Sequence, residues 1–264
     1  ELSYQSYRLK NYTQYSFLFD NGSSNLLSLM AKLTRFSTSP NLIYPRSGSS
    51  FTLSLQATAP YSLINGRNYA AMSDEDKYRW IEFHKWVFKS EYYFPITPND
   101  KMVLSTRFAF GYLGHYNKDI GPSPFENFYL GGDGMTGYSV YGREVIALRG
   151  YTNGSLTPVD PVKGASSGNV YSKITFELRY PISLNQQATI YGLAFLESGR
   201  AWYALKEYNP FRMNRSAGIG LRANLPMFGL LGIDWGYGFD QVPNPYLYPN
   251  ANKSQFHFVI GQQF

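Results

Sequence analysis

The most regular feature of the chain is an alternation of apolar and polar residues with a period of two. It is clearest in the segments FTLSLQATA (51–59), KITFELRY (173–180) and GIGLRANL (218–225). Successive side chains of an extended strand point to opposite faces, so this pattern predicts strands with one apolar and one polar face. Helical periodicity is almost absent.

Ten strands are predicted from this alternation and from the turn residues that interrupt it. They cover residues 2–13, 26–37, 49–59, 79–94, 101–113, 169–182, 187–203, 214–225, 230–240 and 254–264. Most are about ten residues long or longer, whereas strands of soluble domains are usually shorter. About ten tilted residues is the length that crosses a bilayer.

The predicted connections alternate between long and short. Short turns rich in Pro and Asn occupy residues 95–100, 183–186 and 226–229, and the longest connection is 114–168. Long loops at one end of the strands and short turns at the other are typical of outer-membrane barrels. Residues 38–48 form a longer turn than this pattern requires.

Composition narrows the class of protein. Aromatic residues make up 18% of the chain, with 24 Tyr and 19 Phe, whereas charged residues make up only 16%. There is no cysteine, which excludes disulfide frameworks and thiolate zinc sites. The net charge is +6 without a run of Lys or Arg, so nucleic acid is not an expected partner.

Together these features predict an all-β protein, a transmembrane antiparallel β-barrel. The aromatic face of each strand is expected to meet lipid, and the face that carries Lys173, Glu177 and Arg179 is expected to point into a wet interior. A soluble β-sandwich also alternates and is the alternative, although its strands would be shorter.

No enzyme site or cofactor site is predicted. Gly132, Gly134 and Gly137 have the G-x-G-x-x-G spacing of a dinucleotide-binding turn, but the pattern that follows is not helical. The three histidines lack metal-ligand spacing, and there is no G-x-S-x-G nucleophile motif. The glycine motif is interpreted as part of a loop.

The long connection carries two motifs, FENFYLGG (125–132) and LRGY, the latter formed by Leu148, Arg149, Gly150 and Tyr151. These motifs resemble the sixth extracellular loop of the BamA family of outer-membrane assembly factors. FLESG, which contains Glu197 and Gly199, is similar to a strand motif of that family, with Glu in place of Asp. The final strand, with Phe256, Phe258, Ile260 and Phe264 on one face, resembles the family's last strand.

This resemblance implies that the loop folds into the barrel lumen and that Arg149 pairs with Glu197. Gly150 would allow a close approach to the wall, and Tyr151 would pack as a ring with a polar tip. Glu197 shares a face with Phe195 in a strictly alternating strand, and the sequence leaves open where this alternation breaks. The residues 133–147 form an insertion relative to the family.

The resemblance also implies a function: folding and insertion of nascent β-barrel proteins into the bacterial outer membrane through a lateral gate. Implied partners are those client proteins, accessory lipoproteins, the lipid bilayer and lipopolysaccharide, with no cofactor. The family barrel has sixteen strands, so residues 1–264 are expected to be its C-terminal portion, with the first strands and periplasmic domains preceding them. A two-partner secretion transporter of the same superfamily and a porin-like channel are the alternatives.

Overall fold

The structure is a computed structural model that describes residues 1–10, 21–39, 41–135, 143–160, 164, 166–185 and 187–261. Its main element is one antiparallel sheet of ten strands, each hydrogen-bonded to its neighbour in chain order. The strands are β1 (Leu2–Leu9), β2 (Gly22–Thr38), β3 (Gly48–Thr58), β4 (His84–Pro95), β5 (Val103–Gly114), β8 (Val170–Asn185), β9 (Ala188–Trp202), β10 (Asn214–Leu225), β11 (Gly229–Gly238) and β12 (Gln255–Ile260).

The connection between β5 and β8 contains two further strands, β6 (Phe128–Leu130) and β7 (Glu144–Ile146), which pair in parallel. Two four-residue helices, α1 (Tyr61–Ile64) and α2 (Asp74–Lys77), lie between β3 and β4. Short 3₁₀ turns occur at Tyr69–Ala71 and Leu205–Glu207. No helix in the described ranges is long and apolar enough to cross a membrane.

All ten predicted strands are confirmed, with shifted ends. The fourth begins at His84 rather than at residue 79, because the chain before it forms α2 and a turn. The first ends at Leu9 and the last at Ile260. Phe264, predicted as the terminal aromatic of the last strand, lies outside the described residues.

The two faces of the sheet differ as predicted. Along β8, Phe176, Leu178 and Tyr180 are exposed, whereas Glu177 and Arg179 are buried on the opposite face. This is the reverse of a soluble protein, in which charged groups stay in water and apolar groups are covered. The exposed face is therefore the one that suits lipid.

The sheet is curved around the loop between β5 and β8. A flat ten-stranded sheet would hold its two edges about 43 Å apart, at about 4.8 Å a strand. Yet both edge strands contact this loop: Tyr7 of β1 stacks on Phe125 at a ring-centroid distance of 4.6 Å, and Gly150 is bonded to His257 of β12. In the described residues β1 and β12 are not paired with each other, so the barrel is open.

The main apolar core lies inside the curve rather than on its outside. Loop residues Phe125, Phe128, Leu130, Leu148 and Tyr151 are fully buried against inward-facing side chains of the strands. The loop thus folds against the inner wall because it supplies much of the apolar surface of the interior.

The unexpectedly long turn between β2 and β3 has a structural explanation. Its Tyr44 is fully buried and its hydroxyl donates to the carbonyl oxygens of Lys101 and Arg179, at 2.7 and 3.1 Å. The ring packs edge-on against Tyr191, with centroids 5.2 Å apart. The extra residues let this turn reach across the short-turn end of the interior.

Candidate functional site

The candidate site is the docked loop motif, residues 148–151, and the strand wall beneath it. The insertion does not separate FENFYLGG from LRGY in space: Gly132 and Leu148 exchange two backbone hydrogen bonds of 3.1 and 3.0 Å. Gly137, the last glycine of the glycine motif, lies outside the described residues, and the next described element along the chain is the strand β7.

Arg149 is buried inside the barrel, with 2% of its surface exposed. Its guanidinium donates to Glu197 at 2.8 Å, to Glu177 at 3.1 Å and to Asp234 at 3.1 Å. Its backbone N–H donates to the second carboxylate oxygen of Glu197 at 2.9 Å. The predicted contact with Glu197 is therefore present, and two further acids on β8 and β11 join it.

The Arg149 guanidinium keeps its positive charge in spite of its burial. Burial by itself disfavours the charged form, but the carboxylates of Glu197, Glu177 and Asp234 outweigh it and raise the pKa of Arg149. A planar guanidinium can serve three acceptors at once, which the single ammonium of a lysine does less well.

Each acid of the wall also has a second cation that does not belong to the loop. Glu177 accepts from Arg107 at 2.7 Å and from Arg179 at 2.8 Å. These strand-borne pairs would persist if the loop left. The wall is therefore a preformed acceptor for Arg149.

The other two acids are held in the same way. Asp234 accepts two 2.7 Å bonds from Arg222, and Glu197 lies 3.2 Å from the ammonium of Lys173. Glu197 has the weakest second partner, so it depends most on Arg149.

The strand that carries Glu197 keeps strict alternation, which answers the question left open by the sequence. Phe195 and Glu197 both point inward, and the guanidinium of Arg149 lies over the Phe195 ring, 3.6 Å from its centroid. A cation over an aromatic face is attracted by the ring quadrupole, more strongly when both are desolvated. The aromatic of FLESG is thus the floor of the arginine site.

Leu148 packs against the second predicted partner in FLESG. A Cβ atom built on Gly199 would lie 3.2 Å from Leu148 Cδ1, so the absence of a side chain at Gly199 leaves room for the leucine. Tyr151 is fully buried, and its hydroxyl donates to the Arg215 carbonyl at 2.7 Å and accepts from the Asp240 N–H at 3.2 Å. The ring is enclosed and its polar tip is satisfied, as predicted from the residue type.

The backbone of Gly150 lies directly on β11. Its φ of +85° suits glycine, and an added Cβ would be 2.8 Å from the Gly238 nitrogen. Conversely, a Cβ at Gly236 would be 2.7 Å from the Gly150 nitrogen, and one at Gly238 would be 2.6 Å from the Gly150 oxygen. Three glycines therefore permit contact between two backbones.

A second charged contact ties the loop to β4. Lys85 lies 3.6 Å from Glu126 and 3.5 Å from Glu144, and Lys89 lies 2.9 Å from Glu144. Burial acts to raise the pKa of Glu144, but the ammonium groups of Lys85 and Lys89 outweigh it, so this pKa is lowered. Glu126 has only one such ammonium, and burial raises its pKa to about 7.

The raised pKa of Glu126 predicts that the stability of the fold depends on pH. A carboxyl whose pKa is higher in the folded than in the unfolded state stabilises the fold at low pH, and that contribution is lost as the pH rises through the folded value. For Glu126 this stabilisation is lost between pH 4.5 and about pH 7, and the unfolding free energy falls by an amount of the order of 3 kcal/mol. We expect the unfolding temperature of the full-length protein to fall between pH 5 and pH 8.

The measurement is the temperature at which the heat-modifiable electrophoretic band of the barrel disappears, as a function of pH. Glu126→Gln, which stays neutral, should flatten this dependence between pH 5 and pH 8. An identical pH profile in the variant and the wild type would show that Glu126 does not titrate in this window.

Several site residues were not singled out from the sequence. They are Glu177 and Asp234 as partners of Arg149, Phe195 as its aromatic floor, and His257 as a partner of Gly150. One signal did exist for part of the site: Gly236 and Gly238 alternate on one face of WGYGFD, and glycine inside a strand often marks a close backbone approach. Within the described residues no group of three or more His, Asp or Glu could hold a metal ion.

Of the predicted last-strand residues, Phe256, Phe258 and Ile260 are exposed on the outer face of β12. They share one face, as predicted, and their side chains point away from the interior. The inward face of the same strand carries His257 and Val259, both buried.

Solved structures of other proteins are similar to this chain in fold. The chain is similar to the crystal structure of BamA from Haemophilus ducreyi lacking POTRA domains 1–3, with a TM-score of 0.62 and 19% identity over 90% of this chain and 42% of that one. It is also similar to CdiB from Escherichia coli, with a TM-score of 0.50 and 17% identity over 90% of this chain and 37% of that one.

The chain thus spans less than half the length of either structure. A search of curated proteins gave no match. The Omp85 superfamily domain matches residues 1–264, the whole chain, with the ten-stranded sheet and the docked loop described above. This protein therefore belongs to the Omp85 superfamily.

Proposed function

We propose that this chain is the barrel portion of an outer-membrane assembly factor that folds and inserts nascent β-barrel proteins. The observation that carries the proposal is the docked loop, which binds the inner wall through Arg149 and reaches the edge strand β12 through Gly150. A passive channel would need neither connection.

The edge strand offers a physical route for insertion. β12 pairs with β11 over six residues, Gln255–Ile260, and its other edge has no partner among the described residues. An extended segment of a client protein could add to such an edge through main-chain hydrogen bonds. The apolar outer face of β12 would keep the new strand in contact with lipid as it adds.

The proposed setting is the outer membrane of a bacterium, with the exposed aromatic face in lipid. Client barrel proteins, accessory lipoproteins and lipopolysaccharide are the proposed partners, and the proposal requires no enzyme chemistry or cofactor.

A two-partner secretion transporter is the second candidate. The similarity to CdiB supports this candidate, because the fold is therefore not restricted to BamA. A porin is disfavoured, because a simple channel has no need of a buried Arg149–Glu197 contact between loop and wall.

Depletion of the full-length protein in its own host separates these functions. An assembly factor should be required for many unrelated outer-membrane barrels, so their levels should fall together and growth should stop. Expression of the wild-type protein should restore them, whereas the Arg149→Ala variant should restore them incompletely. Unchanged barrel levels, with loss of a single secreted protein, would instead indicate the transporter.

A further inference from the structure

Besides the bonds of Arg149 to the wall, the motif loop makes a direct contact with the last strand. The backbone N–H of Gly150 donates to Nε2 of His257 at 2.8 Å, and both groups are buried. A ring nitrogen that accepts carries no proton, so this contact requires His257 with its proton elsewhere. A purely hydrocarbon side chain at this position could not accept the bond.

Two further hydrogen bonds lie beside the Gly150–His257 bond. The side-chain amide of Gln255 donates to the Thr152 hydroxyl at 2.9 Å, and the Thr152 N–H donates to the Ala251 carbonyl at 2.9 Å. Gly150 meets residue 257 and Thr152 meets residue 255, so the loop lies antiparallel to the inner face of β12. The loop and the strand are therefore aligned at two successive inward positions.

Among the described residues, β12 pairs with β11 at six positions, whereas β10 and β11 pair at ten. The β11 partner of His257 in this register is Asp234, which itself binds Arg149 and Arg222. The loop thus reaches β11 through Arg149 and β12 through Gly150, at the same level of the barrel.

We infer that His257 is a positioning residue: through its bond to Gly150, the docked loop holds the last strand in place against β11. This deepens the proposed function, on which its biological meaning rests, because it would make loop docking and opening at β12 one event. The physical coupling itself depends only on the contacts above.

The test is hydrogen–deuterium exchange of the β12 backbone amides in the full-length protein in detergent. His257→Leu removes the acceptor and keeps a similar bulk, so β12 should exchange roughly fivefold to tenfold faster, the effect of one lost buried hydrogen bond. His257→Gln retains an acceptor oxygen and should restore slow exchange. The amides of β9 should change in neither variant.

A matched control is Phe258→Leu, a change on the outer face of the same strand. Unchanged β12 exchange in His257→Leu, or equal acceleration in His257→Leu, His257→Gln and Phe258→Leu, would overturn the inference. If His257→Leu were to prevent folding, Gln255→Leu, which removes the Thr152 contact, should accelerate β12 exchange in the same direction. Depletion of the full-length protein tests the proposed function separately: unchanged outer-membrane barrel levels on depletion would reject that function and leave the coupling between loop and β12 standing.

Discussion

Replacement of Arg149 by methionine is expected to release residues 148–151 from the inner wall. Methionine keeps apolar volume but loses the donors that serve Glu197, Glu177 and Asp234. Three lost charged hydrogen bonds would cost several kcal/mol if the acids were left bare. Because each acid keeps a strand-borne cation, we expect a cost of about 2–4 kcal/mol in loop docking.

The measurement is amide exchange or protease cleavage within the loop of the full-length protein, where this cost corresponds to roughly a thirtyfold or greater loss of protection. Arg215→Met is the matched control: its side chain pairs with Asp240 in water, so its loss should change loop protection little. Arg149→Lys should be intermediate, since it keeps the charge without the planar fork. Equal protection in Arg149→Met and wild type would show that the arginine does not hold the loop.

Replacement of Gly236 by alanine is the second change expected to have a large effect. The new Cβ would lie 2.7 Å from the Gly150 nitrogen, a contact between two backbones that no rotation of a side chain can relieve. We expect undocking of the loop with a cost of about 1–3 kcal/mol, as for overpacked interiors. All the charged groups of the site remain in this variant.

Gly192→Ala is the matched control, because it also places alanine within a strand but its Cβ would meet its nearest backbone neighbour only at 4.0 Å. Loop protection should fall in Gly236→Ala and stay unchanged in Gly192→Ala. A normally docked loop in Gly236→Ala would show that the backbone contact seen at Gly150 is not required.

These two variants separate charge from shape at one site. Arg149→Met leaves the glycine surface intact, and Gly236→Ala leaves the arginine and its acceptors intact. If both undock the loop, docking requires a charged bond and a close backbone approach together. In both variants each acid keeps a strand-borne cation, so the wall without the loop would retain no bare carboxylate.

The contacts of the loop explain which part of the site could be predicted. Arg149, Gly150, Tyr151 and Glu197 were found because they lie in short motifs that resemble those of a known family. Glu177 and Asp234 lie 28 and 85 residues from Arg149 in the chain, on strands with several other inward polar residues. Alternation shows that these acids face inward, but it does not show at which height the loop meets the wall.

His257 illustrates the same limit more strongly. It lies 107 residues from Gly150, and the sequence places it only on the polar face of the last strand. The strands β6 and β7 were also missed, because three-residue strands carry too little pattern and form here only where the loop is packed against the wall.

The sequence by itself determined the all-β class, the ten strands, the inward and outward faces and the alternation of long and short connections. These properties depend on side-chain period and turn residues, which are local. Only the tertiary structure decided that Phe195 lies beneath Arg149, that three acids rather than one bind it, and that the loop reaches the last strand. Those facts depend on the register between strands and on the curvature of the sheet, which bring residues far apart in the chain to the same point in the interior.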